Sequence, residues 1–174
     1  MGHFDFVQPR SLTRRIVVAA VLGAPAMARA KPPPCLPPAN VLFVCPAGTV
    51  KSAIARETLK ARATAAGLAV RVESRGVQPE DHVSPGLAAN LRADGVDPAA
   101  EPLRKLTGAD VARAYIVIAF DAATQAPELR GARAWAVPSF NTDYAGATSA
   151  LARHMDTLIA ELQARQPADC ALSR

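Results

Sequence analysis

The stretch Asn40-Val41-Leu42-Phe43-Val44-Cys45-Pro46-Ala47-Gly48-Thr49-Val50-Lys51-Ser52 decides the fold. Its first part, Val41–Val44, is rich in β-forming residues, too short for a helix and apolar on both faces, which is typical of a central strand in a parallel sheet. A helical pattern then runs from Ser52 to about Ala66. The segment from Cys45 to Ser52 therefore joins a strand to a helix, at the sheet edge where α/β proteins bind their ligands.

The same alternation of strand and helix continues along the chain. Further strands are predicted over Leu68–Glu73, Tyr115–Phe120 and Ala134–Val137, and a helix over Pro85–Arg92. A last helix is indicated by an apolar face at helical spacing, which consists of Leu151, Met155, Leu158, Ile159 and Leu162. The pattern predicts an α/β fold with an open, parallel, four-stranded sheet flanked by helices on both faces, a flavodoxin-like three-layer sandwich.

Length and charge narrow the possible functions. The 174 residues are 50% hydrophobic, which suits one compact domain. The net charge of +5 comes largely from residues 1–30, where four arginines face one aspartate, so that 16 basic against 14 acidic residues remain. The chain has only five Phe, two Tyr and one Trp for stacking on bases. Its charge and its aromatic content therefore both argue against a nucleic-acid partner. No apolar run is long enough to predict a transmembrane helix.

The chain is expected to begin with a removable segment. Residues 1–30 contain Arg14-Arg15, the apolar stretch Ile16–Ala24 and the small-residue pattern Ala28-Arg29-Ala30, in the order of a bacterial signal peptide. This predicts a periplasmic or secreted protein, with the twin-arginine route left open and a buried apolar helix as the alternative. Residues 31–39 are then a proline-rich lead-in, residues 40–166 the folded domain and residues 167–174 a C-terminal tail.

The loop from Cys45 to Ser52 is the candidate functional site. A loop that enters a helix N-terminus directs backbone N–H groups at one centre, and this predicts a site for a tetrahedral anion. Its binding residues are expected to be Ala47, Gly48, Thr49, Val50 and Lys51. The same field favours the thiolate of Cys45 as a nucleophile, and the hydroxyl of Ser52 is available to the sulfur.

The loop also resembles a known family. Val41-Leu42-Phe43-Val44-Cys45, followed by five residues, a basic residue and Ser52, is similar to the low-molecular-weight protein tyrosine phosphatases and equally to the arsenate reductases of the same fold. The resemblance continues through Ser74–Gly76, Val83–Pro85, Asp94–Asp97, Ala119–Asp121 and Trp135–Pro138. It implies a phosphorylated or oxyanion small ligand and a phosphocysteine at Cys45. There is no HExxH, CxxC or Walker sequence, so we expect neither a metal nor a cofactor.

Three departures from the family bear on activity. Lys51 stands where the family has arginine. A lysine ammonium binds phosphate less well than a planar guanidinium, which donates two parallel hydrogen bonds, so we expect slow turnover. Ser139 stands where the family has its general-acid aspartate; the nearest carboxylate is Asp143, which is either the acid or a surface residue. Phe120 and Ala126 replace the relay cysteines of the arsenate reductases.

These departures leave three functions open. The first is a slow, exported phosphomonoesterase, and the second is a degenerate relative that binds phosphate-like anions without turnover. The third is an arsenate reductase that uses small-molecule thiols in place of the relay.

The three cysteines also allow a structural pairing. Cys35 and Cys170 lie in the two tails, outside the alternating core, so an exported chain is expected to join them in a disulfide and to keep Cys45 free. The alternative is that all three thiols are unpaired.

Overall fold

The computed structural model describes residues 36–166. The predicted signal peptide at residues 1–30, Cys35, and the tail at residues 167–174 with Cys170 lie outside the described residues. In the described part, one parallel sheet forms the centre of the domain, with strands β1 (Ala39–Cys45), β2 (Val70–Gly76), β3 (Ile116–Phe120) and β4 (Arg133–Trp135). Their order across the sheet is β2-β1-β3-β4. This confirms the predicted fold.

Helices cover both faces of the sheet. They are α1 (Lys51–Ala65), α2 (Pro85–Ala93), α3 (Gly108–Arg113) and α4 (Tyr144–Arg165). On one face, α1, α2 and α4 bury their apolar residues against Val41 and Phe43 of β1. On the other face, Leu42 and Val44 of the same strand pack under the segment that contains α3 and two short 3-10 turns, Asp121–Gln125 and Pro127–Leu129. The continuous apolar run of β1 is therefore explained by burial on both faces.

Two strands end two or more residues away from the predicted residue. Strand β2 covers Val70–Gly76 instead of Leu68–Glu73, because it pairs with β1 until Gly76 lies beside Cys45. The polar end of this strand is tolerated because Arg75 forms a buried ion pair with Asp110 of α3. Strand β4 covers Arg133–Trp135 instead of Ala134–Val137.

Helix α3 was not predicted, because six residues are too few for a periodic pattern. A capping box marks its start: the hydroxyl of Thr107 accepts from the backbone N–H of Asp110, and the Asp110 carboxylate accepts from the N–H of Thr107.

The topology brings three chain segments to one edge of the sheet. Cys45 ends β1, Asp121 follows β3, and Val137 lies two residues beyond β4. Because the strands are parallel, these carboxyl ends share one edge, and the loop from Cys45 to Ser52 begins there. Within residues 36–166, no helix is long and apolar enough to cross a membrane.

Candidate active site

Cys45 is held by two polar groups of its own loop. Its Sγ accepts a hydrogen bond from the backbone N–H of Gly48 at 3.1 Å and lies 3.1 Å from Oγ of Ser52. Both residues are buried, with Cys45 4% exposed and Ser52 0%. The Ser52 hydroxyl also lies near two carbonyl oxygens, of Gly48 at 3.3 Å and of Arg75 at 3.4 Å. Its proton can turn to the sulfur when Cys45 is a thiolate, so the structure provides two donors to the charged nucleophile.

Two glycines allow the loop to lie close to the end of β2. Gly48 has φ +83°, in the left-handed region, and a Cβ at this position would lie 2.7 Å from Cδ1 of Leu103 and 2.8 Å from N of Gly76. A Cβ on Gly76 would meet the carbonyl oxygen of Ala47 at 2.7 Å. The left-handed backbone and the close contacts at Gly48 leave no room for a side chain there. A glycine is required at position 76 for the same reason, because the end of β2 contacts the loop at this residue.

The loop is tied down on its other side by Thr49. The Thr49 hydroxyl donates to the carbonyl oxygen of Glu80 at 2.8 Å and accepts from the N–H of His82 at 3.2 Å. The side chain of Thr49 therefore anchors the loop to the segment after β2, and only its backbone N–H is left for an anion.

Helix α1 begins without a side-chain cap. Val50 occupies the N-cap position and has no side-chain acceptor for the N–H groups of the first turn. A capping oxygen would normally satisfy one of these groups, so the uncapped end is open to an external anion. The helix dipole places roughly half a positive charge at this end, directly beside Cys45.

Lys51 makes contacts that the sequence analysis missed. Its Nζ lies 2.6 Å from Oδ1 of Asp121 and donates to the carbonyl oxygen of Val137, also at 2.6 Å. The Lys51 side chain is 11% exposed. Asp121 has φ +52°, a left-handed backbone that aspartate tolerates better than most residues. Such strained residues concentrate at functional sites. The signal in the sequence was an aspartate directly after a buried strand.

Asp143 has a structural role at the start of α4. It is the N-cap residue, and its Oδ1 accepts from the N–H of Gly146 at 2.9 Å. The neighbouring Tyr144 donates its hydroxyl proton to Oδ2 of Asp94 at 2.6 Å. Burial together with this contact raises the pKa of Tyr144 to about 12. Ser139 makes its contacts through the backbone, since its carbonyl oxygen accepts from the N–H groups of Thr142 and Asp143.

A buried arginine adjoins the loop and was also missed. Arg56 of α1 is 2% exposed, and its guanidinium donates to Oγ of Ser74 at 2.7 Å and to the carbonyl oxygen of Pro98 at 3.1 Å. It also forms an ion pair with Glu57. In the sequence, Arg56 is one charge among several on a helix, so nothing in the pattern distinguishes it from a solvated residue.

Of the two positions where the relay cysteines would stand, Phe120 is buried in the core and Ala126 is half-buried. Phe120 packs against Phe43 and Trp135, with ring centroids 6.2 and 6.0 Å away. Ala126 ends the first 3-10 turn. Within residues 36–166, Cys45 is the free cysteine, and no group of three or more His, Cys, Asp or Glu side chains is placed to hold a metal ion.

The fold and the loop together define a class of protein: a parallel α/β domain with a cysteine in an anion-binding loop at the end of its first strand. The profile described as low molecular weight phosphotyrosine protein phosphatase matches residues 40–156. The chain therefore belongs to the low molecular weight phosphotyrosine protein phosphatase family. A comparison with curated proteins gave no match.

Solved structures of this family have the same fold. The chain is similar to a low molecular weight protein tyrosine phosphatase from T. tengcongensis, with 22% identity over 71% of this chain and 99% of that one and a TM-score of 0.58. The thioredoxin-dependent arsenate reductase of Corynebacterium glutamicum has 23% identity over 75% of this chain and 64% of its own, with a TM-score of 0.58. An arsenate reductase in the phosphate-binding state has 18% identity over 71% of this chain and 98% of that one, also with a TM-score of 0.58.

Proposed function

We propose that this chain is an exported phosphomonoesterase that forms a phosphocysteine at Cys45. The observation that carries the proposal is the position of Cys45 Sγ, 3.1 Å from both the N–H of Gly48 and the hydroxyl of Ser52, at the uncapped start of α1. Two donors and a helix dipole stabilise the thiolate that a nucleophilic cysteine requires.

The reaction has two steps. In the first, the Cys45 thiolate attacks phosphorus, an S–P bond forms, and the ester P–O bond breaks as its electron pair leaves on the alcohol oxygen. In the second, water attacks the phosphocysteine, and inorganic phosphate and the thiolate are released. The backbone N–H groups from Ala47 to Lys51 hold the phosphoryl oxygens in both steps, and their fixed direction favours the transition state. The similar arsenate reductase in the phosphate-binding state supports a small oxyanion as the ligand of this chain.

Asp143 is the proposed acid and base: it gives a proton to the leaving alcohol oxygen in the first step and takes one from the attacking water in the second. Its carboxylate is fixed in place by the N–H of Gly146, which supports a defined position at the start of α4. The neighbouring Ser139 has no group that can act as an acid in this way.

Slow turnover is part of the proposal. Lys51 supplies one ammonium, and that ammonium already has Asp121 and the carbonyl oxygen of Val137 as partners. Of its three N–H donors, one is left for the phosphoryl group, whereas an arginine offers five donors in a planar fork. We therefore expect Lys51→Arg to raise kcat/KM.

The test is turnover of p-nitrophenyl phosphate by the chain, by Cys45→Ser and by Lys51→Arg. We expect slow turnover in the first, none in the second and about tenfold more in the third. Ser52→Ala is the matched variant that removes one donor to the sulfur and leaves the nucleophile in place. Turnover that persists in Cys45→Ser would overturn the proposal.

One observation favours the second candidate, an anion-binding relative without turnover. The partners of Lys51 offset its charge, and this supports binding of an anion by the backbone N–H groups alone. Titration of inorganic phosphate by calorimetry separates the two functions: heat of binding without ester turnover in either the chain or Lys51→Arg identifies the binding protein. Release of arsenite from arsenate with a small-molecule thiol would identify the third candidate, arsenate reduction.

Export is proposed from residues 1–30 alone, with the periplasm or the exterior of a bacterial cell as the destination. In such a compartment, a phosphatase of this class acts on phosphomonoesters outside the cytoplasm. Fractionation of cells that express the full chain tests this, and retention of the intact chain in the cytoplasm would contradict it.

A further inference from the structure

A cavity of about 940 Å³ lies between α2, the segment of residues 95–103 and the loop from Cys45 to Ser52 (the anion loop). The loop contributes Gly48 and Thr49 to its wall, whereas Cys45 and Lys51 are not among the lining residues. This volume is at the upper end of the range for small-molecule sites. The proposed hydrolysis makes no use of it.

Four of the five charged groups that line this cavity have partners within the described residues. Arg56 donates to Ser74, Pro98 and Glu57, and Glu101 forms an ion pair with Lys60. A carboxylate oxygen of Asp97 accepts from the N–H of Ala99 at 2.9 Å, and one of Asp81 accepts from that of Val83 at 3.1 Å. Arg92, the remaining charged lining residue, is exposed to solvent. A ligand that carries its charge into the cavity would have to break one of these contacts or rely on the solvent-exposed Arg92 alone, and an exposed ion pair of that kind contributes little free energy.

The uncharged part of the wall is mostly apolar, and the buried Arg56 lies beside it. Most of it is formed by Val83, Ala88, Leu91, Val96, Pro102 and Leu103. Apolar surface of this kind binds by excluding water from a matching ligand surface. Arg56 carries five N–H donors, of which three are used by its protein partners. It therefore retains donors for a single carbonyl or ether oxygen.

We propose that this cavity is a second ligand site, which binds an uncharged, largely apolar small molecule with one hydrogen-bond acceptor for Arg56. The site adjoins the anion loop but is separate from the cysteine. Gly48 and Thr49 contribute to both sites, but Cys45 and Lys51 do not line this cavity, so we expect its ligand and phosphate to bind at the same time.

The experiment uses N-phenyl-1-naphthylamine, an uncharged apolar fluorophore, titrated into the full chain. We expect saturable binding of one molecule, unchanged by saturating inorganic phosphate, and at least tenfold weaker binding of the anionic analogue 1-anilinonaphthalene-8-sulfonate. Ala88→Phe fills the cavity from α2 and should weaken binding at least tenfold. Its matched control is Ala89→Phe, on the same helix but exposed and outside the lining, which should bind as the parent chain does.

A second pair keeps the test decisive if Ala88→Phe does not fold. Ala99→Phe fills the cavity from the 95–103 segment, and Ala100→Phe places the same ring on the adjacent exposed residue outside the lining. Circular dichroism establishes which variants are folded. Absence of saturable binding, displacement by phosphate, tighter binding of the anionic analogue, or equal binding by a folded cavity-filling variant and its control would each overturn the proposal.

Discussion

Lys51 keeps its ammonium at the edge of the sheet through partners from two other strands. Asp121 follows β3 and Val137 follows β4, so the position of one side chain depends on three segments. A lysine has a flexible stem and loses side-chain entropy when it is fixed. We infer that Asp121 holds the Lys51 ammonium in position. This offsets part of the loss in phosphate binding that the replacement of arginine by lysine causes.

The positioning role of Asp121 can be tested with Asp121→Asn, which keeps the size of the side chain and removes its charge. We expect kcat/KM for p-nitrophenyl phosphate to fall about tenfold, less than the 10²- to 10³-fold loss typical when an oxyanion donor is removed outright. Glu128→Gln removes an exposed carboxylate from the same region and should change nothing. Steady-state kinetics with an unchanged or a raised kcat/KM in Asp121→Asn would contradict the role, because a raised value means that Asp121 only withholds the Lys51 ammonium from the phosphoryl group.

Asp143 has two proposed roles, and two substitutions separate them. Asp143→Asn retains an oxygen that can accept from the N–H of Gly146, whereas Asp143→Ala retains none. We expect the alanine variant to lose about 1 kcal/mol of stability and the asparagine variant only a few tenths. Both should lose up to roughly 10²-fold in turnover of phenyl phosphate, whose leaving group needs a proton. If Asp143→Asn hydrolyses phenyl phosphate at the normal rate, Asp143 is not the acid and serves only as the N-cap of α4.

At the residue scale, local contacts were predictable and distant ones were not. Cys45, Gly48 and Ser52 lie within one short loop, and the chemistry of such a loop follows from the strand before it and the helix after it. Asp121 and the carbonyl oxygen of Val137 meet Lys51 only because β3 and β4 end at the same edge. Sequence spacing carries no information about contacts made in this way.

At the scale of elements, α3 is joined to the end of β2 by a buried ion pair. Asp110 and Arg75 are 2.9 Å apart and almost fully buried, and Thr107 and Arg113 also contact the carboxylate. Burial by itself raises the pKa of Asp110, but the hydrogen bonds from Thr107 and Arg75 outweigh it and lower the pKa from 3.8 to about 2. The carboxylate therefore stabilises the folded state.

This shift predicts a pH dependence of stability. A carboxyl group with a lower pKa in the folded state stabilises fully above its unfolded pKa and loses that effect as the pH falls from 3.8 through about 2. Asp110→Asn should cost about 2 kcal/mol at pH 7, and the difference from the parent should close over that acidic interval. Urea unfolding at several pH values measures this. A difference that stays constant down to pH 2 would show that packing, and not charge, is responsible.

The same ion pair explains what the sequence analysis missed among the elements. The alternation of apolar runs and helical patterns was enough to predict the four parallel strands. The last residues of β2 are polar, and their sequence alone does not indicate a buried strand. The charge of Arg75 is compensated by Asp110 of α3, which lies 35 positions later in the sequence. Short elements such as α3 are fixed by these tertiary contacts and by capping, and periodicity does not detect them.

At the scale of the whole molecule, we expect the cysteines to divide between a structural and a chemical role. Cys35 and Cys170 flank the folded domain in sequence, and Cys45 is its buried free thiol. If the exported chain joins Cys35 to Cys170, the crosslink closes a loop of more than a hundred residues, worth roughly 4–5 kcal/mol in the chain-entropy model. A non-reducing peptide map should show the Cys35–Cys170 link and an alkylated Cys45. A disulfide that contains Cys45 as the main species would contradict this division.

The central claim is that Cys45 carries the phosphoryl group during turnover. It is tested most directly by mixing the chain with p-nitrophenyl phosphate, quenching within milliseconds and mapping the phosphorylated residue by mass spectrometry. We expect a phosphoryl group on the peptide that contains Cys45, formed before free phosphate accumulates, and no modification in Cys45→Ala. Release of p-nitrophenol and phosphate with Cys45 never modified, or a phosphoryl group on another residue, would contradict the account.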